Sequence, residues 1–151
     1  MIIMSNITKF FASKKIAIVG ISATTPQKFG NMLFKELSAK PYQLYPVHPD
    51  LDNFQGTTCY PSISALPPEI TSLIIVTKPE VTINLMKEAI SKGINNIWLQ
   101  QGAENNEIIE FAKNSDANII YKQCALMFAE PTGSLHKFHR GLKRLFGRLP
   151  K

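Results

Sequence analysis

Ser22, Thr24, Thr25 and Lys28 crowd into one segment bounded by Gly20 and Gly30. Hydroxyl groups and an ammonium at such spacing are groups that hold phosphate oxygens. Gly20 lets the chain turn tightly and lets a ligand approach the backbone, while a helix starting near Gly30 offers unpaired N–H groups and a positive dipole end. Gly20, Ser22 and Lys28 are therefore candidates for phosphate binding. A plain strand-to-helix connection, shaped by Gly20 and Pro26, accounts for the same residues equally well.

The loop departs from the familiar nucleotide signatures. Position 22 is Ser and no glycine follows until Gly30, so the G-x-G-x-x-G dinucleotide fingerprint is absent. There is no Gly-Lys-Ser or Gly-Lys-Thr, which argues against a Walker-type NTPase. An NAD site would want an acidic residue after the second strand to hold the ribose hydroxyls. His48-Pro49 stands there instead, with Asp50 only after the proline.

Other reactive side chains form no catalytic constellation. His48, His136 and His139 are the histidines, and none sits in a recognisable nucleophile or acid–base pairing. His136 and His139 could share a helical face, but no third metal ligand has matching spacing. Cys59 and Cys124 form no C-x-x-C pair and read as reduced thiols. Cys124 follows a strand end where the thiol of a bound ligand could reach it; packing as a small buried hydrophobe is the commoner role. Trp98 and Met127 read as core residues. No catalytic residue and no metal site is expected, and the chain is not expected to be an enzyme alone.

Short β-type apolar runs alternate with stretches of helical period, the pattern of a parallel sheet covered by helices on both faces. Strands are expected over 16–19, 42–47, 72–76, 95–99 and 117–121, with a short edge strand over 57–60. Pro46 fits a strand only where no ladder donor is needed. Met32, Leu33, Phe34 and Leu37 mark a first helix ended by Pro41. Val81, Leu85, Met86, Ala89 and Ile90 mark the apolar face of a second, closed by Gly93, and Ile108, Ile109, Phe111 and Ala112 mark a third. The fold class is α/β: a Rossmann-like, doubly wound, parallel five-stranded sheet, followed by a C-terminal amphipathic helix. Ligands of such sheets lie beyond the carboxyl ends of the strands, where strand order reverses. The segments after Gly20, Val47, Val76 and Leu99 are the expected walls.

In this order the chain resembles the stand-alone CoA-binding domain proteins, similar to the N-terminal domain of the succinyl-CoA synthetase alpha subunit. The resemblance covers roughly residues 14–130. It rests on Ile-Ala-Ile-Val-Gly-Ile-Ser (16–22), Pro-x-Lys-x-Gly (26–30), Tyr-Pro-Val-His-Pro (45–49), Gly56 with Tyr60-Pro61-Ser62, and Trp-Leu-Gln-Gln-Gly-Ala-Glu (98–104). Cys-Ala-Leu-Met-Phe (124–128) and His-Lys-Phe-His-Arg (136–140) look like one branch of the family. The resemblance implies coenzyme A or an acyl-CoA as ligand. It implies that the 22–28 loop contacts the pyrophosphate, that His48 and Pro49 flank the adenosine, that Val76, Thr77 and Pro79 line the cleft, and that Gln101 and Gly102 stand near the pantetheine. Where the family commonly has Asn before the second proline, this chain has His48. Acyl-CoA ligation by the larger synthetases needs a phosphorylated histidine and a nucleotide-binding domain outside the CoA-binding portion.

The net charge of +6 belongs to one end. Residues 1–133 hold 11 Lys or Arg and 11 Asp or Glu, whereas 134–151 hold Lys137, Arg140, Lys143, Arg144, Arg148 and Lys151 with no acid. One domain over 1–133 and a basic tail over 134–151 are expected. Leu135, Phe138, Leu142, Leu145, Phe146 and Leu149 make the tail an amphipathic helix that docks on the domain or on a twin subunit. Binding to an anionic membrane or to nucleic acid is the competing use of such a helix. No aromatic stacking platform accompanies it, so no specific nucleic acid partner is expected. No apolar run approaches the roughly 18 residues of a membrane span, and Met1 to Asn6 lack a signal-peptide n-region, which points to the cytoplasm. Three functional classes follow: a CoA-binding module, an NAD(P)-dependent oxidoreductase, and an interaction protein with a vestigial cleft.

Overall fold

Along β1 (Lys15–Val19) the side chains alternate between two cores. Ile16 and Ile18 pack on one face of the sheet and Ala17 and Val19 on the other, as the period-2 geometry of a strand requires. Both faces must then be covered, which is why the strand reads as an unbroken apolar run. The structure, a computed structural model, describes residues 2–129, with side chains from residue 5 onward. The expected C-terminal helix and its basic residues lie outside the described residues.

After β1 come α2 (Phe29–Ser38), β2 (Gln43–Val47), a small hairpin of β3 (Asn53–Phe54) and β4 (Thr57–Thr58), β5 (Ser72–Ile75), α3 (Pro79–Lys92), β6 (Asn96–Leu99), α4 (Asn106–Lys113) and β7 (Asn118–Ile120). Short 3₁₀ turns occupy Ile63–Ala65 and Ala125–Met127. The main sheet has the order β2-β1-β5-β6-β7, and every pair in it is parallel. The chain runs outward from β1 to β2, then returns to the other side of β1 at β5. Strand order therefore reverses between β1 and β5, so the crevice of this doubly wound sheet opens beyond their carboxyl ends.

Before β1 lies α1 (Ile2–Ala12), which the sequence reading does not include. Its Ile7, Phe10 and Phe11 are buried, and the Phe10 and Phe11 rings each lie 5.3 Å from Trp98. Trp98 is fully buried and donates its indole N–H to the carbonyl of Gln123 at 3.0 Å, the core role expected of it. α1 and α2 thus cover the face carrying Ile16, Ile18 and Trp98, while Met86 and Ala89 of α3 and Ile108 and Ala112 of α4 pack on the other.

Two expectations need correction. Thr57–Thr58 does not extend the main sheet but pairs antiparallel with β3, and only Tyr60 bridges to Val47. The face that α3 buries is Thr82, Met86 and Ala89, whereas Val81 is 49% exposed and Ile90 37% exposed. Pro46 sits on edge strand β2, and its carbonyl accepts from Tyr60 N–H at 2.9 Å. A residue's N–H and C=O point to the same side of a strand, so the donor that Pro46 lacks would have faced away from β1. Among the described residues no helix is long and apolar enough to cross a membrane.

Candidate functional site

Gly20 follows β1 with φ of 117°, a region that strains any residue bearing a Cβ. A Cβ there would stand 2.1 Å from the carbonyl oxygen of Val76, and one on Gly30 would stand 2.2 Å from the carbonyl oxygen of Gly20. Gly20 thus lets the ends of β1 and β5 close up, and Gly30 lets the first turn of α2 lie directly on the Gly20 peptide. Turn and close packing, two tasks of a dinucleotide-type loop, are met without a glycine at position 22.

The loop between these glycines is held by its own side chains. Ser22 Oγ accepts from the N–H groups of Thr24 and Thr25 at 3.2 and 3.0 Å. Buried Asn31 clamps the same residue from α2: its Oδ1 accepts from Ser22 N–H at 2.7 Å and its Nδ2 donates to the Ser22 carbonyl at 2.9 Å. Lys28 N–H donates to the Thr25 carbonyl at 3.0 Å, closing a turn with Pro26 at its second position, where proline is favoured. Lys28 is then the N-cap of α2, exposed, and makes no side-chain cap. Its ammonium therefore stands at the positive end of the helix dipole.

The neighbouring strand ends are equally ordered. His48 N–H donates to the Tyr60 carbonyl at 2.9 Å, and His48 Nδ1 accepts from Asp50 N–H at 3.1 Å. An accepting Nδ1 carries no proton, so the ring's N–H is at Nε2. After β5, Val76 N–H donates to the Val19 carbonyl at 2.8 Å. Thr77 Oγ1 lies 2.8 Å from Thr82 Oγ1, and buried Thr82 donates to the Lys78 carbonyl at 3.0 Å, which fixes the turn into α3. Pro79 occupies the first turn of α3, where its missing N–H costs nothing.

Beyond β6 lies a polar cluster. Buried Gln100 accepts from Ala125 N–H at 3.0 Å, tying the end of β6 to the 3₁₀ turn over Ala125–Met127. Gln100 Nε2, Gln101 Oε1 and Glu104 Oε2 are buried without a hydrogen-bond partner among the described residues. Burial pushes the Glu104 carboxyl above its usual range, against the pull of nearby backbone N–H groups and of Lys122. Cys124 is fully buried, and that burial pushes its thiol pKa up, which keeps the sulfur protonated and inert at neutral pH.

Two cavities meet at these strand ends. The larger, about 390 Å³, includes Gly20, Lys28, His48, Pro49 and Thr77 in its walls, with Val81, Leu85 and Glu88 from α3. The smaller, about 230 Å³, is walled by Lys28, Val76, Thr77, Lys78, Gln101, Gly102 and Ala103. Lys28 and Thr77 belong to both, so the cavities form one cleft. Eight of the expected residues line it. Ser22 and Pro79 do not: Ser22 holds the loop and Pro79 starts α3. Sequence reasoning missed Asn31 and Thr82, whose polar side chains on apolar helix faces were the available signal, and the cleft-facing side of α3. A further cavity of about 390 Å³ lies away from the strand ends, beside Ser38, Tyr42 and Thr58. Among the described residues no group of three potential ligands could hold a metal ion.

Residues 14–130 match the family model described as CoA binding domain. The chain is 26% identical over 112 residues to the uncharacterised protein YneT of Bacillus subtilis, covering 74% of this chain and 82% of that one. It is 30% identical over 128 residues to the alpha subunit of the ADP-forming acetate–CoA ligase II of Pyrococcus furiosus, covering 76% of this chain but only 27% of that subunit. The solved structure of a conserved hypothetical protein from Pyrococcus furiosus superimposes with a TM-score of 0.68 at 35% identity, covering 73% of this chain and 94% of that one.

Proposed function

Because the chain belongs to the family of CoA binding domains, we propose that it binds coenzyme A, or an acyl-CoA, in the cleft at the carboxyl ends of β1, β2, β5 and β6. The observation that carries this reading is the junction at Lys28. One exposed cation, at the uncapped start of α2, belongs to both halves of a cleft that is otherwise largely apolar. Such a site suits a long ligand with phosphates in the middle and less charged ends.

The residues present fit that ligand. Lys28 and Lys78 would meet phosphate charge, and the 22–28 loop, kept in shape by Ser22 and Asn31, would present its backbone to the pyrophosphate. His48 and Pro49 would flank the adenosine, with the Nε2–H of His48 as a donor. Val76 and Thr77 would line the passage to Gln101 and Gly102 at the pantetheine end, where the unpartnered Gln101 Oε1 would accept a ligand N–H. The reading assigns binding and no chemical step. The chain spans 27% of the ligase subunit it resembles, and that subunit's activity is not carried over.

Calorimetric titration with coenzyme A, NAD and NADP tests this directly. Saturable binding of coenzyme A in the micromolar range, with NAD and NADP at least about tenfold weaker, is the expected result. Absence of coenzyme A binding up to about 1 mM, a standard free energy of only about −4 kcal/mol, would sink the reading.

A further inference from the structure

We infer that Glu88 is a specificity-determining residue that reads the purine of the bound nucleotide, its carboxylate accepting a hydrogen bond from the exocyclic amino group of adenine. This rests on the reading of the cleft as a coenzyme A site. Val81, Leu85 and Glu88 fall on one face of α3 through their three- and four-residue spacing, and that face forms a wall of the larger cavity. Val81 is 49% exposed, one of two large hydrophobic side chains left in solvent among the described residues. With Leu85, and with Pro49 and Pro61 from the loops beyond β2 and β4, it makes an apolar slot in which a flat ring loses its contact with water.

Glu88 stands in the wall of this slot and is held rather than free. Its Oε2 accepts from Ser64 N–H at 2.9 Å and from Ser64 Oγ at 3.0 Å. No cation lies within ion-pair distance of it among the described residues, where the ion pair present is Lys15–Glu69. A carboxylate offers about four acceptor positions, so acceptor capacity remains on the other oxygen. In a cleft whose cations are Lys28 and Lys78, this lone negative charge repels phosphate. It must face the part of the ligand that is neutral and carries N–H donors. The amino group of adenine, seated among Val81, Leu85 and the two prolines, meets both conditions.

The test compares ADP with purine riboside 5′-diphosphate, which lacks only the amino group, as displacers of coenzyme A from the wild-type chain and from Glu88→Gln. The wild type should prefer ADP by about tenfold, the effect of one charge-assisted hydrogen bond in a partly open site. In Glu88→Gln only the amide oxygen can accept from Ser64 N–H, so keeping that bond leaves the NH₂ toward the slot. The preference should then fall to parity while the thermal midpoint stays close to the wild-type value. Equal affinity of the two probes for the wild type, or an ADP preference that survives in Glu88→Gln, overturns the assignment. Equal weakening of both probes by Glu88→Gln also overturns it, since the carboxylate would then be serving the ribose. Failure of coenzyme A to bind either protein refutes the cleft reading itself, and is distinguishable because no displacement can then be observed.

Discussion

Alanine at Gly20 is expected to destabilise the chain by about 3–5 kcal/mol, the range of the most damaging single substitutions. Two costs combine. The residue must keep a φ of 117°, and its Cβ would meet the Val76 carbonyl oxygen at 2.1 Å, well inside contact distance. That oxygen belongs to backbone anchored to β1 through the Val76 N–H bond, so it cannot swing aside as a side chain could. Gly30→Ala provides a second arm. Alanine inside a helix is favoured over glycine by about 1 kcal/mol, yet a Cβ there meets the Gly20 carbonyl at 2.2 Å, and overpacking should reverse the sign to a net loss of about 2 kcal/mol. Gly102→Ala is the control: its φ is 94° but nothing lies within 4 Å, so only the backbone cost, about 1 kcal/mol, is expected. Urea midpoints rank the three. If Gly20→Ala and Gly102→Ala lose the same stability, the close packing of β1 on β5 is not what requires glycine.

Lys28→Glu is expected to weaken coenzyme A binding by about 100-fold, or about 2.7 kcal/mol, because it replaces an attraction to phosphate by a repulsion. The same change should leave stability almost untouched. Lys28 is exposed, its contribution to the loop is through its backbone, and an acidic residue at a helix N-cap is favourable. Calorimetry at low and high salt separates the effects. The gap between wild type and variant should narrow by several-fold at about 1 M salt, where the screening length falls to about 3 Å. An affinity loss independent of salt would remove charge as the cause, and an unchanged affinity would remove Lys28 from the site.

The parallel sheet was legible because each central strand is a short apolar run stopped by a turn residue, as Ile16 to Val19 is stopped by Gly20. The position of the cleft was legible for a topological reason, since the reversal of strand order lies where strand five in the chain returns beside strand one. What stayed hidden depends on contacts between distant residues. Asn31 reads as one polar residue on an apolar helix face, and only folding shows it gripping Ser22. α1 is rich in β-branched and aromatic residues, which are indifferent helix formers, and its Ile7, Phe10 and Phe11 spacing gains meaning from Trp98 across the core. Val81 and Ile90 complete an apolar pattern on α3, yet the buried face is centred on Thr82, Met86 and Ala89, a rotation that the hydroxyl of Thr82 obscures. Ser22 Oγ accepts from the N–H groups of Thr24 and Thr25 and so shapes the loop, while its own O–H stays free to donate, a pairing that appears only once the loop is folded.

Backbone amide shifts of isotope-labelled protein, followed by NMR during titration with coenzyme A, test whether coenzyme A occupies the cleft at the strand ends. The largest changes should map to Gly20, Ser22 and Lys28, to His48, to Val76 and Thr77, and to Gln101 and Gly102, with the residues of α1 that pack on β6 and β7 unmoved. Changes centred instead on the cavity beside Ser38, Tyr42 and Thr58, or no saturable change at any residue, would contradict it.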